Sequence, residues 1–473
     1  MMEDDELENF EEQNDNLGNS VQRYEEMLRN HSHYFFDVDA LLRIIDHYIE
    51  KAEYDKAIEV SKYASNLHPN SMHFKIKQAH LYSMVGRHNE ALEMLDRLED
   101  VNPYDIDIFI IRGNIFNTLE RFEEAINNYT RALEFAEIKD ELLFCIGASY
   151  QNILNYHEAI RYYKASLKEN SNHEMAMEEL TACLGLTGRL EEGIIYFQKL
   201  IDTNPYSYLA WYNLGDLFFK TGKYDKSIEA FEYTIIIKED FAPAYLDMGT
   251  VLALLERYDE AIAKYKASFE YFTPDAITYY NIAECYERLE QMEESRTYYK
   301  KAVKTNPEMA AAWFGIAITL EFEERWYEAI HYVKRALELN NENGEYWFLL
   351  GDCEREMNNL EEAEECYRKA IEYNPDNIDI WFEYADFLYQ NNRLFEAIEI
   401  TASGIKFHVD SIELQIRLVM YLYIDGQLKE AYNHFEDVLD KEFNAYPLLF
   451  DLMPSLENDT TIKEIIEQKR PLQ

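Results

Sequence analysis

One period governs this chain. In frames of 34 residues counted from Val38, position 20 is Ala57, Ala91, Ala125, Ala159, Gly193, Ser227, Ala261, Ser295, Ala329, Ala363, Ala397 and Ala431. All twelve are small, and no insertion breaks the register between residues 38 and 445. A position held small at a fixed period points to two elements approaching closely in every unit. Position 8 supplies the facing side, with Ala79, Gly113, Gly147, Gly215, Gly249, Ala283, Ala317, Gly351 and Ala385. Positions 4, 11, 17 and 24 are mostly large and apolar, as in Trp211, Phe218, Tyr224 and Phe231, or Trp313, Leu320, Trp326 and Val333. The spacing predicts two helices per frame, broken near Gly222 in the best-formed unit, Tyr208 to Phe241. Pro69, Pro103, Pro205, Pro307 and Pro375, all at position 32, stop the second helix before the next begins. Each hairpin can bury its apolar face only against its neighbours, so the expected fold is an all-α solenoid.

These residues carry a family resemblance. Trp211, Leu214 and Gly215 at Trp-x-x-Leu-Gly spacing, followed by the small residue, the aromatic, Ala and Pro, resemble the tetratricopeptide repeat. The resemblance spans residues 38–445 as twelve units. It implies a right-handed superhelix of helix-turn-helix hairpins whose first helices line a concave groove. It also implies a protein-interaction scaffold or adaptor; some members carry a catalytic domain, but flanks of 37 and 28 residues and the absence of enzyme motifs lead to the expectation of no enzyme.

The flanks fall outside the frame. Residues 1–37 form an acidic segment, expected to be disordered over 1–20, with one short helix over Val21 to Leu28 and His31-Ser-His33 in the loop after it. Residues 446–473 read as capping helices: Pro447 can open one, Pro454 interrupts it, and Asp459 can cap another over Ile462 to Lys469. Within the repeats, the fifth frame (174–207) departs most, with Met177 at position 4 and Gly185 inside its first helix. Glycine inside a helix costs about 1 kcal/mol relative to alanine, so the 137–200 region should be the softest part of the array.

Charge narrows the partners. The net charge is −46, and only −9 of it lies in residues 1–37. Acidity spread through the body argues against nucleic acid or an anionic membrane surface as partner. No charge-free apolar run is long enough to cross a bilayer, and Met1-Met-Glu-Asp-Asp-Glu lacks the basic start of a secretory signal, so a cytoplasmic protein is expected. Five cysteines without a C-x-x-C read as reduced core thiols, with Cys353 and Cys366 on the two helices of one repeat. No nucleophile elbow, phosphate loop or His-Glu-x-x-His occurs. His73 and His80 share a helix face but lack a third ligand in spacing, so no catalytic residue, metal or cofactor is expected.

Function is therefore expected on the groove, at positions 2, 5, 6, 9, 12 and 13 of the first helices. Position 5 gives Phe144, Tyr212, Leu246, Tyr280, Phe314, Phe348 and Phe382. Position 9 gives Asp216, Glu284, Asp352 and Asp386, position 6 gives Asn213, Asp247, Asn281 and Glu383, and Glu287, Glu321 and Glu356 follow at positions 12 and 13. An aromatic row flanked by carboxylates suits an extended protein or peptide segment bearing Lys or Arg. The carboxylate clamp by which some tetratricopeptide domains grip chaperone tails is absent, because position 5 is never Lys and Lys77 and Arg43 at position 6 look isolated. Glu at position 19 in ten of twelve frames reads as a helix-dipole preference needing no partner, and Glu361–Glu365 as solvated convex face. The alternative is a structural subunit, a self-associating rib that pairs through residues 38–105 or the tail after 445.

Overall fold

The computed structural model describes residues 19–30 and 34–470. Residues 1–18 and His31-Ser-His33 lie outside the described residues. Among the described residues every regular element is a helix. The first helix opens at position 1 in all twelve frames, from Val38–Glu50 to Ile412–Ile424, and the second at position 17, from Tyr54–Leu67 to Leu428–Lys441.

The turn between them explains that regularity. Position 15 is left-handed in all twelve hairpins, though it is glycine in only four, Gly86, Gly188, Gly222 and Gly426. Ala52, Glu120, Leu154, Glu256, Glu290, Glu324, Asn358 and Asn392 adopt the same backbone, with φ between +55° and +61°. The amide that follows reaches back across the turn, as Lys223 N–H does to the Phe218 carbonyl at 2.8 Å, closing a Schellman motif.

Small residues do what the period demands. Every alanine at position 20 is wholly buried. A Cβ on Gly113, Gly147, Gly215 or Gly249 would stand 2.5–2.8 Å from the position-24 ring of the same hairpin, Tyr129, Tyr163, Phe231 or Tyr265. Glycine there lets a large ring fill the seam between the two helices. Successive hairpins are fastened at position 4, whose side chain donates to the carbonyl of position 32 before it: Trp211 to Pro205, Trp313 to Pro307, Trp347 to Asn341 and Trp381 to Pro375, all at 2.8–2.9 Å. Lys75 and Gln415 make the same bond without an indole, to Pro69 and Val409.

The chain divides into two compact units, Met1–Glu239 and Asp240–Gln473. Each holds six hairpins and its own core. In the first unit, Tyr24 and Met27 from the helix over 19–30 join Leu41, Ile44 and Ile58 in one apolar cluster, covering the first hairpin. In the second unit, the helix Tyr446–Leu452, the 3-10 turn Pro454–Asn458 and the helix Thr460–Lys469 cover the last one. They set Leu449, Leu456, Ile462, Ile465 and Ile466 against it. Asp459 anchors this cover by capping Ile462 N–H at 3.0 Å and accepting the Tyr423 hydroxyl at 2.8 Å. Inside each unit the first helices of several successive hairpins touch one another, as in the second and third hairpins of the chain and in its eighth and ninth, whereas second helices pack mainly on first helices and the last of them also on the covering helix Thr460–Lys469. The first helices therefore line the inner face.

Candidate protein-binding groove

Of the thirteen groove candidates, Tyr212, Asn213 and Asp216 fall in the first unit and the other ten in the second. The position-5 rings are half-buried because each leans on an aromatic neighbour within its unit. Tyr212 lies 5.7 Å from Phe231, Tyr280 5.5 Å from Tyr299, Phe314 4.5 Å from Tyr346 and Phe348 6.2 Å from Tyr367, centroid to centroid. Phe382 instead carries the guanidinium of Arg417, 5.0 Å from its ring centre. One face of each ring thus belongs to the core and the other edges the groove. In the second unit, Tyr280, Phe314, Phe348 and Phe382 occupy four successive hairpins.

The carboxylates are less free than their positions suggest. Asp216 pairs with Lys220 at 2.7 Å. Asp352 accepts the buried Tyr367 hydroxyl at 2.6 Å and faces Arg355, which also binds Glu383 at 2.7 Å and Glu356 at 3.2 Å. Asp386 accepts the Tyr421 hydroxyl at 2.6 Å and pairs with Arg417. By contrast, Glu284, Glu287 and Glu321 form no ion pair among the described residues. Glu284 is exposed and accepts the Tyr280 hydroxyl at 2.9 Å; Glu287 accepts that of Tyr299 at 2.8 Å. Burial pushes the Asp352 carboxyl up to about 6, with the nearby Glu383 and Glu321 charges adding to the shift and Tyr367 and Arg355 opposing it. Burial also raises Glu287 and Glu321 above the usual carboxylate range. Burial thus disfavours the charged form of three carboxylates in the second unit's groove.

Four expectations need correction. Asn213 does not face the groove: it is buried, donates to the Leu209 carbonyl at 2.8 Å and accepts the Thr181 hydroxyl at 2.8 Å. Lys77 is not isolated, because it reaches Asp46 of the preceding hairpin at 2.6 Å. Six of the ten position-19 glutamates do have a partner at position 16, where Arg grips them, as Arg87 does Glu90 and Arg257 does Glu260 in a fork. Glu364 is not simply solvated face: it is largely covered and binds Arg393 of the next hairpin at 2.5 and 3.0 Å. Asp247 and Asn281 sit half-buried at position 6.

Two clefts open on the second unit's groove. One of about 410 Å3 is lined by Glu321, Trp326, Phe348, Asp352, Arg355, Glu356, Asp379, Phe382, Glu383 and Arg417. The other, about 470 Å3, is lined by Thr250, Ala253, Leu254, Glu256, Tyr258, Tyr265, Asn281, Glu284, Cys285 and Arg288. The arginines in both were not singled out from the sequence. Among the described residues no group of three His, Cys, Asp or Glu is placed to hold a metal, and no helix is long and apolar enough to cross a membrane. The five cysteines are free thiols, and burial raises Cys353 and Cys366 to about 12, far from a reactive thiolate.

Twelve in-register hairpins, small at position 20 throughout and at position 8 in nine, with an aromatic and acidic inner face, define an α-solenoid built for contact with other proteins. The comparisons name its family. Family models described as "Tetratricopeptide repeat" match residues 106–138, 147–208, 196–229, 240–306, 344–377 and 366–399, and the span 344–377 coincides with the tenth frame. The chain belongs to the tetratricopeptide repeat family. As such it is a scaffold for protein–protein interaction. Among solved structures it is similar to YrrB, titled a TPR protein with an unusual peptide-binding site, at 21% identity and a TM-score of 0.36, over 40% of this chain and 96% of that one. It is also similar to the APC/C hetero-tetramer Cut9-Hcn1, at 13% identity and a TM-score of 0.40, over 85% of this chain and 98% of that one. No curated protein matches it in sequence.

Proposed function

We propose that the inner face of the second unit grips an extended protein segment bearing Lys or Arg. The observation that carries this reading is the run of half-buried rings Tyr280, Phe314, Phe348 and Phe382 beside Glu284, Glu287 and Glu321, carboxylates with no ion pair among the described residues. Rings take the stems of basic side chains or stack on guanidinium, and carboxylates take the charge. An acidic partner tail would meet like charge at Glu284, Glu287 and Glu321. In this reading the protein is a cytoplasmic, non-enzymatic adaptor.

The test is affinity capture on the immobilised full chain, compared with a Glu284→Lys/Glu321→Lys variant and repeated over a salt series. The reading expects basic-segment proteins to be captured at low salt, released as salt rises, and lost on the variant. Capture indifferent to both changes overturns it. The rib reading has less support, because each terminal hairpin is covered by helices of its own chain. Recovery of a second copy of the chain as the main captured species would restore it.

A further inference from the structure

Five hairpins place a carboxylate at position 9: Asp46, Asp216, Glu284, Asp352 and Asp386. Four of them are neutralised by a cation from the chain itself. Asp216 and Asp352 receive one from their own helix, Lys220 at 2.7 Å and Arg355 at 3.5 Å. Asp46 and Asp386 receive one from position 6 of the following hairpin, Lys77 at 2.6 Å and Arg417. Glu284 has none among the described residues, although Arg288 lines the same cleft one turn away.

The Arg417 case shows what such a place accepts. Its guanidinium lies over the position-5 ring Phe382, 5.0 Å from the centroid, and pairs with the position-9 carboxylate Asp386. The eighth hairpin repeats that arrangement of ring and acid in Tyr280 and Glu284, joined by a 2.9 Å hydrogen bond. At the position equivalent to Arg417 stands Gly315. A Cβ there would meet the Tyr299 ring at 2.3 Å, so that seam forbids any side chain. In the eleventh hairpin the place of Tyr299 is taken by the smaller Thr401. The eighth hairpin thus keeps the ring and the acid, while the ninth is barred from supplying a cation from position 6.

We infer that Tyr280 and Glu284 form a seat for one arginine side chain of the bound partner, its guanidinium stacked on the Tyr280 ring and paired with the Glu284 carboxylate. This rests on the reading that the groove takes a basic segment, and it fixes where that segment's principal cation sits. Position-9 carboxylates elsewhere are already satisfied and contribute little.

The probe is a fluorescein-labelled twelve-residue Ala/Ser peptide carrying three spaced arginines, beside its citrulline counterpart, with binding to the full chain read by polarisation. The arginine peptide should bind at least about tenfold more tightly than the citrulline peptide, and Glu284→Gln should remove about that factor, whereas Glu361→Gln, outside the groove, should change affinity by less than about twofold. Arg417→Ala vacates the ring and acid of the eleventh hairpin and should raise the stoichiometry from one peptide to two, with circular dichroism confirming the fold. A Glu284→Gln variant that binds the arginine peptide as wild type does overturns the seat while leaving the basic-segment reading intact. Equal binding of arginine and citrulline peptides overturns both.

Discussion

A Cβ on Gly215 would stand 2.6 Å from Cε1 of Phe231 in the facing helix. The seam of the sixth hairpin is therefore closed to even one methyl group, whereas the space beside Gly185, in the fifth, is open within 4 Å. The same substitution should have opposite signs at the two places. Gly215→Ala should destabilise by about 1–3 kcal/mol through overpacking. Gly185→Ala should stabilise by about 1 kcal/mol through helix propensity alone. Urea unfolding of the two variants measures both, and amide exchange across 137–200 should slow in the second.

Leu154 takes a left-handed backbone, φ +61°, and is 70% exposed, so its side chain offers little in return. The left-handed region costs an L-residue about 1–2 kcal/mol, and glycine gives part of that back as unfolded-chain entropy. Leu154→Gly should raise stability by about 0.5–1 kcal/mol, read as a shift in the urea midpoint at unchanged slope. Gly222→Leu, the reverse change at the equivalent position, should lower it.

Asp352 makes stability depend on pH. Its carboxyl, ordinarily near 3.8, is pushed up to about 6 by burial. Below about pH 4 the folded and unfolded chains both hold this proton; between about 4 and 6 only the folded chain does, and above 6 that advantage is gone. Asp352→Asn imitates the protonated form. Its stability relative to wild type should therefore grow from pH 4 to pH 7, by up to about 2–3 kcal/mol, and level off above. A difference that is flat across this range would mean the carboxyl titrates normally.

Glu364 and Arg393 join the tenth and eleventh hairpins through a two-pronged ion pair whose carboxylate is only 18% exposed. Glu364→Gln should cost about 1 kcal/mol, more than an exposed pair, and the loss should shrink in high salt. Glu361→Gln, three residues away on the exposed side, should be neutral.

The repeat architecture was legible because period and packing are the same fact: position 20 had to be small wherever two helices touch. The candidate groove was legible only by half. Position 9 read alone shows Asp386 and Asp352 as available carboxylates. Their cations arrive from elsewhere in the fold, Arg417 from 31 positions on and Arg355 from the same helix but turned across the groove. Asn213 failed for a related reason: its partner Thr181 belongs to the hairpin before it, 32 residues earlier. Left-handed turns at Leu154 or Glu324 carry no residue signal, because the Schellman hydrogen bonds and the packing of both helices impose them.

The covers over the first and last hairpins have a consequence for how such a chain can change in length. Each interior hairpin repeats the same small position 20 and the same left-handed turn at position 15, so a whole unit can be duplicated or excised between neighbours without making a new kind of contact. The two rims have no such freedom. Tyr24 and Met27 at one, and Ile462 and Ile465 at the other, fit only the hairpin they lie on. Growth by repetition is open in the middle of the sequence and closed at its margins.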